Sequence, residues 1–183
     1  MKYKLTDETK EWLDTILHRI QYENGEMGGW IEKEENLDQS GAARVYGDAR
    51  VSGNAWVYGD ARVYGDARVY GNAQVSGDAR VYGNARVYGN ARVSGNARVY
   101  GNARVSGDAD WMVVGPIGSR NGITTIFREK DNKIAVSCGC FYGSLDKFEK
   151  QVDETHGNNV HGKTYRAMIE MVKIRFQTME DKK

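Results

Sequence analysis

The sequence predicts a mainly β protein: a parallel β-solenoid with a small C-terminal α+β domain. Two observations carry the solenoid. First, residues 45–110 repeat Val-(Tyr/Ser)-Gly-(Asp/Asn)-Ala-Arg in eleven units without insertion, the last position being Arg in eight of them, with valines from Val45 to Val105 at every sixth position. Second, Gly recurs in every unit, and a strict period of six with Gly in each unit fits no 3.6-residue helix. A repeat of this kind buries its apolar face only by stacking on neighbouring units.

Each phrase reads as a short strand and a corner. Ala43 and Val45 sit two apart and share one side of an extended chain, with Arg44 and Tyr46 on the other. Gly47-Asp48 then supplies the bend, because Gly takes positive φ freely and Asp or Asn tolerates it. Upstream, Ile31 and Leu37 keep the spacing of six and two extra residues precede Val45. Residues 29–44 are therefore expected to form a first, degenerate coil, entered through Gly28-Gly29-Trp30.

Aliphatic residues every sixth position, a small residue two before each, and Gly-Asn or Gly-Asp corners are features of the hexapeptide-repeat left-handed β-helix family, which residues 29–110 resemble. The resemblance implies a left-handed coil with three phrases per turn. The hand comes from the resemblance alone, since general crossover rules favour the right.

With three phrases per turn the outward side chains fall into three faces. The first displays Arg44, Arg62, Arg80 and Arg98 beside Tyr46, Tyr64, Tyr82 and Tyr100. The second carries Arg50, Arg68, Arg86 and Arg104 with Ser52, Tyr70, Tyr88 and Ser106. The third breaks the pattern with Trp56, Gln74 and Arg92. Arginines about 4.8 Å apart repel by roughly 0.8–1 kcal/mol per pair in water. Corner aspartates, Tyr rings against the guanidinium planes or an anionic partner would offset this. Three readings stand open: a solvating surface copied by duplication, a protein interface, and a nucleic-acid or nucleotide face. Against the last, residues 41–110 hold 9 Arg and 6 Asp, a net of only +3.

The flanks differ. Residues 1–40 hold 5 basic and 10 acidic residues; residues 111–183 hold 12 and 9. Residues 1–28 are expected to cap the first coil and protect its strand edge. Trp12, Leu13, Ile16, Leu17 and Ile20 fit one helical face with Thr6 as cap; Ile16–Tyr22 as a strand is the alternative. In residues 111–183, Pro116 and Gly118–Gly122 mark a break, and strands are expected at Ile123–Glu129 and Lys133–Cys138 around an Asp131-Asn132 turn. Ser144 is placed to cap a helix with Leu145, Phe148 and Val152 on one face. A second helix near Gly162 would bury Tyr165, Met168, Ile169, Val172 and Phe176.

No run is apolar and long enough to span a membrane, and the polar start Met1–Asp7 has no signal-peptide character. Cys138 and Cys140 are the only cysteines, which fits a reducing compartment. The expected setting is the cytoplasm, with no cofactor and no metal. Gly28-Gly29-Trp30-Ile31-Glu32, the repeats and the tail motifs Cys138-Gly139-Cys140-Phe141 and Glu154-Thr155-His156-Gly157 resemble a bacteriophage or prophage protein family. That implies a bacterial host cell or a virion, and no activity.

Many hexapeptide-repeat proteins are coenzyme A-dependent acyltransferases with a His base, commonly as trimers. Acyl transfer needs such a base within hydrogen-bond reach. The coil here holds none: His18, His156 and His161 all lie outside it. His156 and His161 could line a C-terminal site or ligate a metal; ordinary histidines of a helix–helix loop are the alternative. The sequence thus favours a non-enzymatic scaffold that presents the C-terminal unit as a recognition domain and binds a macromolecular, protein partner, with a host defence component and a particle component as the two candidates, and that is expected to be a homotrimer.

Overall fold

The structure is a computed structural model that describes residues 1–129 and 132–177. The chain divides into two compact units, Met1–Asp108 and Ala109–Lys183.

The first unit opens with three antiparallel strands, β1 (Tyr3–Trp12), β2 (Thr15–Tyr22) and β3 (Met27–Ile31). The helical reading of Trp12–Ile20 is therefore wrong and the strand alternative holds. Two local features explain it. Leu13 and Asp14 adopt positive φ and make a two-residue hairpin turn, with Trp12 paired to Thr15. The β2–β3 register also shifts between Arg19 and Gln21. That shift lets Leu17 and Ile20, three apart, both face inward, which mimics a helical spacing, and Tyr22 follows inward at the strand interval of two. Leu13 and Ile16, assigned to the same helical face, are 62% and 55% exposed. Thr6 caps nothing; its hydroxyl donates across the hairpin to the Arg19 carbonyl at 3.0 Å.

Eleven two-residue strands follow. They are β4 (Arg44–Val45), β5 (Arg50–Val51), β6 (Trp56–Val57), β7 (Arg62–Val63), β8 (Arg68–Val69), β9 (Gln74–Val75), β10 (Arg80–Val81), β11 (Arg86–Val87), β12 (Arg92–Val93), β13 (Arg98–Val99) and β14 (Arg104–Val105). Every third strand pairs in parallel, with Val45, Val63, Val81 and Val99 in one column. Three phrases thus make one rung, and the coil has three faces: β4-β7-β10-β13, β6-β9-β12, and a sheet in which β1-β2-β3 continue into β5-β8-β11-β14. The repeat valines are fully buried, as are Ala43 and Ala61 to Ala103 at the small-residue positions. Corner glycines from Gly47 to Gly101 have φ from +60° to +73°. At Gly77 the stacking adds a second demand, because a Cβ there would come 3.0 Å from the Gly95 nitrogen on the next rung.

The degenerate coil is present. Ile31 pairs with Val51 and Leu37 with Val57, each two positions beyond the three-phrase spacing. The two extra residues are held in a small loop. Lys2 Nζ donates to the Asp38 and Gly41 carbonyls at 2.5 and 3.0 Å, and the Asp38 carboxylate accepts from the Ser40 and Gly41 amides.

The second unit is an antiparallel sheet, β15 (Trp111–Ile117), β16 (Gly122–Arg128), β17 (Ile134–Cys138) and β18 (Phe141–Ser144), with helices α1 (Leu145–His156) and α2 (Val160–Gln177). The two expected strands and two expected helices are present, and the Ser144 hydroxyl accepts from the Lys147 amide at 3.4 Å. Asp131 of the expected turn lies outside the described residues. The core joins Ile126 and Val136 of the sheet to Phe148, Val152, Met168, Ile169, Val172 and Phe176 of the helices. Buried Arg128 ties sheet to helix: it donates to the Phe176 carbonyl at 2.8 Å and pairs with Asp110 at 3.5 Å.

Candidate functional site

The outward ladders stand where the period places them, but the three faces differ. On the first, Arg44, Arg62, Arg80 and Arg98 are in register, and Arg62, Arg80 and Arg98 are exposed. Beside them the rings of Tyr64, Tyr82 and Tyr100 stack face to face. Centroids are 4.8 and 4.7 Å apart and the planes are within 6° of parallel. The rung spacing dictates this, since side chains on parallel in-register strands repeat at the interstrand distance. Burial pushes the Tyr82 phenol up to about 12, and the neighbouring Tyr100 and Tyr64 add to the effect.

Two residues at the start of this face do otherwise. Tyr46 leaves the stack and leans on Tyr22, with centroids 6.1 Å apart. Arg44 lies over the Tyr22 ring at 4.2 Å, a cation–π contact supplied by the N-terminal strands. Beyond these contacts the face continues as Arg62–Tyr64, Arg80–Tyr82 and Arg98–Tyr100.

The second face is partly covered. Arg50, Arg68, Arg86 and Arg104 are in register and half-buried. Trp12, at the tip of the β1–β2 hairpin, packs edge-on against Tyr70 at 5.5 Å and lies 5.9 Å from the Arg50 guanidinium. Lys10 of the same strand pairs with Asp48 at 3.7 Å. Arg68 carries the electrostatic cost of stacking: burial first, then Arg86 and Arg50 on either side, lower its pKa. The third face has no cationic column. Trp56 is 42% exposed and stacks on Tyr58 at 3.9 Å.

A corner also forms a ladder that single-residue reading passed over. Asn54 donates to Asn72 at 3.1 Å and Asn72 to Asn90 at 3.0 Å. The signal was present as Asn at the same corner of successive rungs.

In the second unit His156 and His161 come together across the α1–α2 turn, with rings 5.8 Å apart. Only His156 reaches a cleft of about 480 Å³, where its ring lies against Tyr165 at 5.6 Å. Cys138 lies on the same cleft, accepts from the Thr124 hydroxyl at 3.1 Å and approaches the Tyr165 hydroxyl at 3.5 Å. Burial and this thiol contact raise the Tyr165 pKa. Sequence reasoning missed the cleft because four separate segments build it. Among the described residues no group of three or more His, Cys, Asp or Glu is placed to hold a metal ion. Among them, too, no helix is long and apolar enough to cross a membrane.

The coil is also recognisable by comparison. The YdcK beta solenoid repeat family model matches residues 43–59, 61–77, 73–87, 85–99 and 97–109. Together with the stacked parallel coils, this makes the chain a β-solenoid repeat protein. The matched segments lie within the repeats, outside β1–β3 and the sheet and helices of the second unit. No curated protein matches the chain.

Proposed function

We propose that this protein is a non-enzymatic interaction scaffold whose solenoid holds the Arg62/Arg80/Arg98 and Tyr64/Tyr82/Tyr100 columns against a protein partner. The observation that carries the reading is the tyrosine stack with its exposed arginine ladder. Tyr and Arg supply large contact area and directional donors, and both are enriched where interfaces are energetically concentrated. A rigid coil fixes both columns before binding, so little ordering entropy is lost on association. The acyltransferase reading has no support in the coil, which contains no His. On its resemblance to phage and prophage proteins, the setting proposed is a bacterial cell during infection or a virion. A homotrimer built on this face is the self-associating form of the same proposal.

The test uses an Arg62→Gln, Arg80→Gln, Arg98→Gln triple variant, which keeps size and polarity and removes the charge. Quantitative co-purification from bacterial lysate is expected to lose a protein partner with the variant, at unchanged melting temperature. Light scattering reads whether that partner is a second copy. The nucleic-acid reading makes a different prediction: oligonucleotide affinity that falls steeply between about 50 and 200 mM salt and disappears in the variant. That result, or turnover of an acyl-coenzyme A, would displace the proposal.

A further inference from the structure

We infer that the cleft of the second unit is a binding site for a small aromatic acid, independent of the solenoid face. Its walls come from the β15–β16 turn, the β17–β18 turn, α1 and α2. At about 480 Å³ it falls within the range of small-molecule sites.

Three observations set the ligand chemistry. The first is a continuous run of rings: Phe141 meets Phe148 at 5.1 Å, Phe148 meets Tyr165 edge-on at 5.5 Å, and Tyr165 meets His156 at 5.6 Å. With Ile117 and Val152 beside it, this wall suits a planar apolar body. The second is charge. Among the described residues the lining contains no Asp or Glu, whereas Arg120 stands exposed at the rim. Among the described residues no carboxylate pairs with Arg120. A carboxylate on the ligand would supply the missing counter-charge, and a guanidinium binds it in a two-pronged geometry.

The third observation is that the site is structurally prepared. Gly118 has φ +76°, and a Cβ there would overlap the Tyr165 hydroxyl. Any other residue would displace that ring from the wall. The hydroxyl and the Cys138 thiol then present a small polar patch within an otherwise apolar surface. A mostly apolar cleft with a few convergent polar groups is the usual form of a ligand site.

The experiment titrates the full chain with 1-naphthoate and with neutral 1-naphthamide, followed by amide chemical shifts. Naphthoate is expected to bind saturably and one to one, with shifts concentrated at Arg120, Cys140, Gln151 and Thr155. Naphthamide should bind about tenfold more weakly. Arg120→Gln should weaken naphthoate about tenfold and leave naphthamide unchanged. Thr155→Trp, at an exposed rim position, should block both compounds. Equal affinity for acid and amide, an Arg120→Gln variant that keeps their ratio, or no saturable binding up to about 10 mM would overturn the inference.

Discussion

The Tyr22 hydroxyl makes a two-way hydrogen bond with the backbone of Val45, donating to its carbonyl at 3.0 Å and accepting from its amide at 2.9 Å. Val45 lies in β4, the first strand of its face, where no earlier rung exists to pair with it. One side chain thus satisfies both groups that the open end would leave unpaired. Tyr3 acts similarly beside it, with its hydroxyl 2.8 and 2.7 Å from the Glu34 and Leu37 carbonyls. An unpaired strand edge is a template for another chain, so pairing these groups is expected to oppose end-to-end growth.

Tyr22→Phe tests that role. It leaves the buried Val45 amide and carbonyl without their partner, which should cost about 1–3 kcal/mol in urea unfolding. The variant should also self-associate more readily by light scattering. An unchanged midpoint would show that the edge does not need the hydroxyl.

Val81→Asp should unfold the coil. Val81 is fully buried between Val63 and Val99, and an unpaired carboxylate there should cost on the order of the whole usual margin of stability. Circular dichroism should lose the β signal of the solenoid. A variant that melts like the parent would mean that the column does not form the core.

The half-buried Arg68 and the exposed Arg80 should respond differently to neutralisation. Arg80→Gln should change stability by less than about 0.5 kcal/mol. Arg68→Gln removes a charge whose pKa is already lowered by burial, Arg86 and Arg50, so it should raise the melting temperature. The gain should shrink with added salt, because screening relieves the same repulsion. A loss of stability for Arg68→Gln at low salt would assign the residue a packing role instead.

The tyrosine stack should appear in alkaline titration. Tyr82 in the folded protein titrates at about 12, above its ordinary value of 10.0. Between these values the unfolded chain loses this proton before the folded one does. The native state therefore holds more protons, and stability falls as pH rises through that window. Tyr82→Phe keeps the ring and removes the ionisation, so its stability should fall less steeply above the ordinary value of 10.0. Identical slopes for parent and variant would place the alkaline loss elsewhere.

The solenoid was legible because a period of six fixes strand, corner and inward side chain together, and Val45 to Val105 never break it. The N-terminal strands were less so, because the register shift at Arg19–Gln21 places Leu17 and Ile20 on one side with helix-like spacing. Strands β15 and β18 were missed. One contains Pro116, which reads as a break, and the other is short and runs directly into α1. The Arg and Tyr ladders were readable from position, but not their inequality. Trp12 reaching Tyr70 and Tyr46 turning to Tyr22 are long-range contacts without a local signal. The role of Arg128 at Asp110 and Phe176 is of the same kind.

The central claim is that the face carrying Tyr64, Tyr82 and Tyr100 meets a protein partner. The most direct measurement is site-specific photo-crosslinking in bacterial cells, with the crosslinker at Tyr82 on that face and at Ser76, which follows Val75 of β9, on the third. The account predicts a discrete protein adduct from position 82 and none from position 76. No adduct at 82, or equal adducts from both positions, would contradict it.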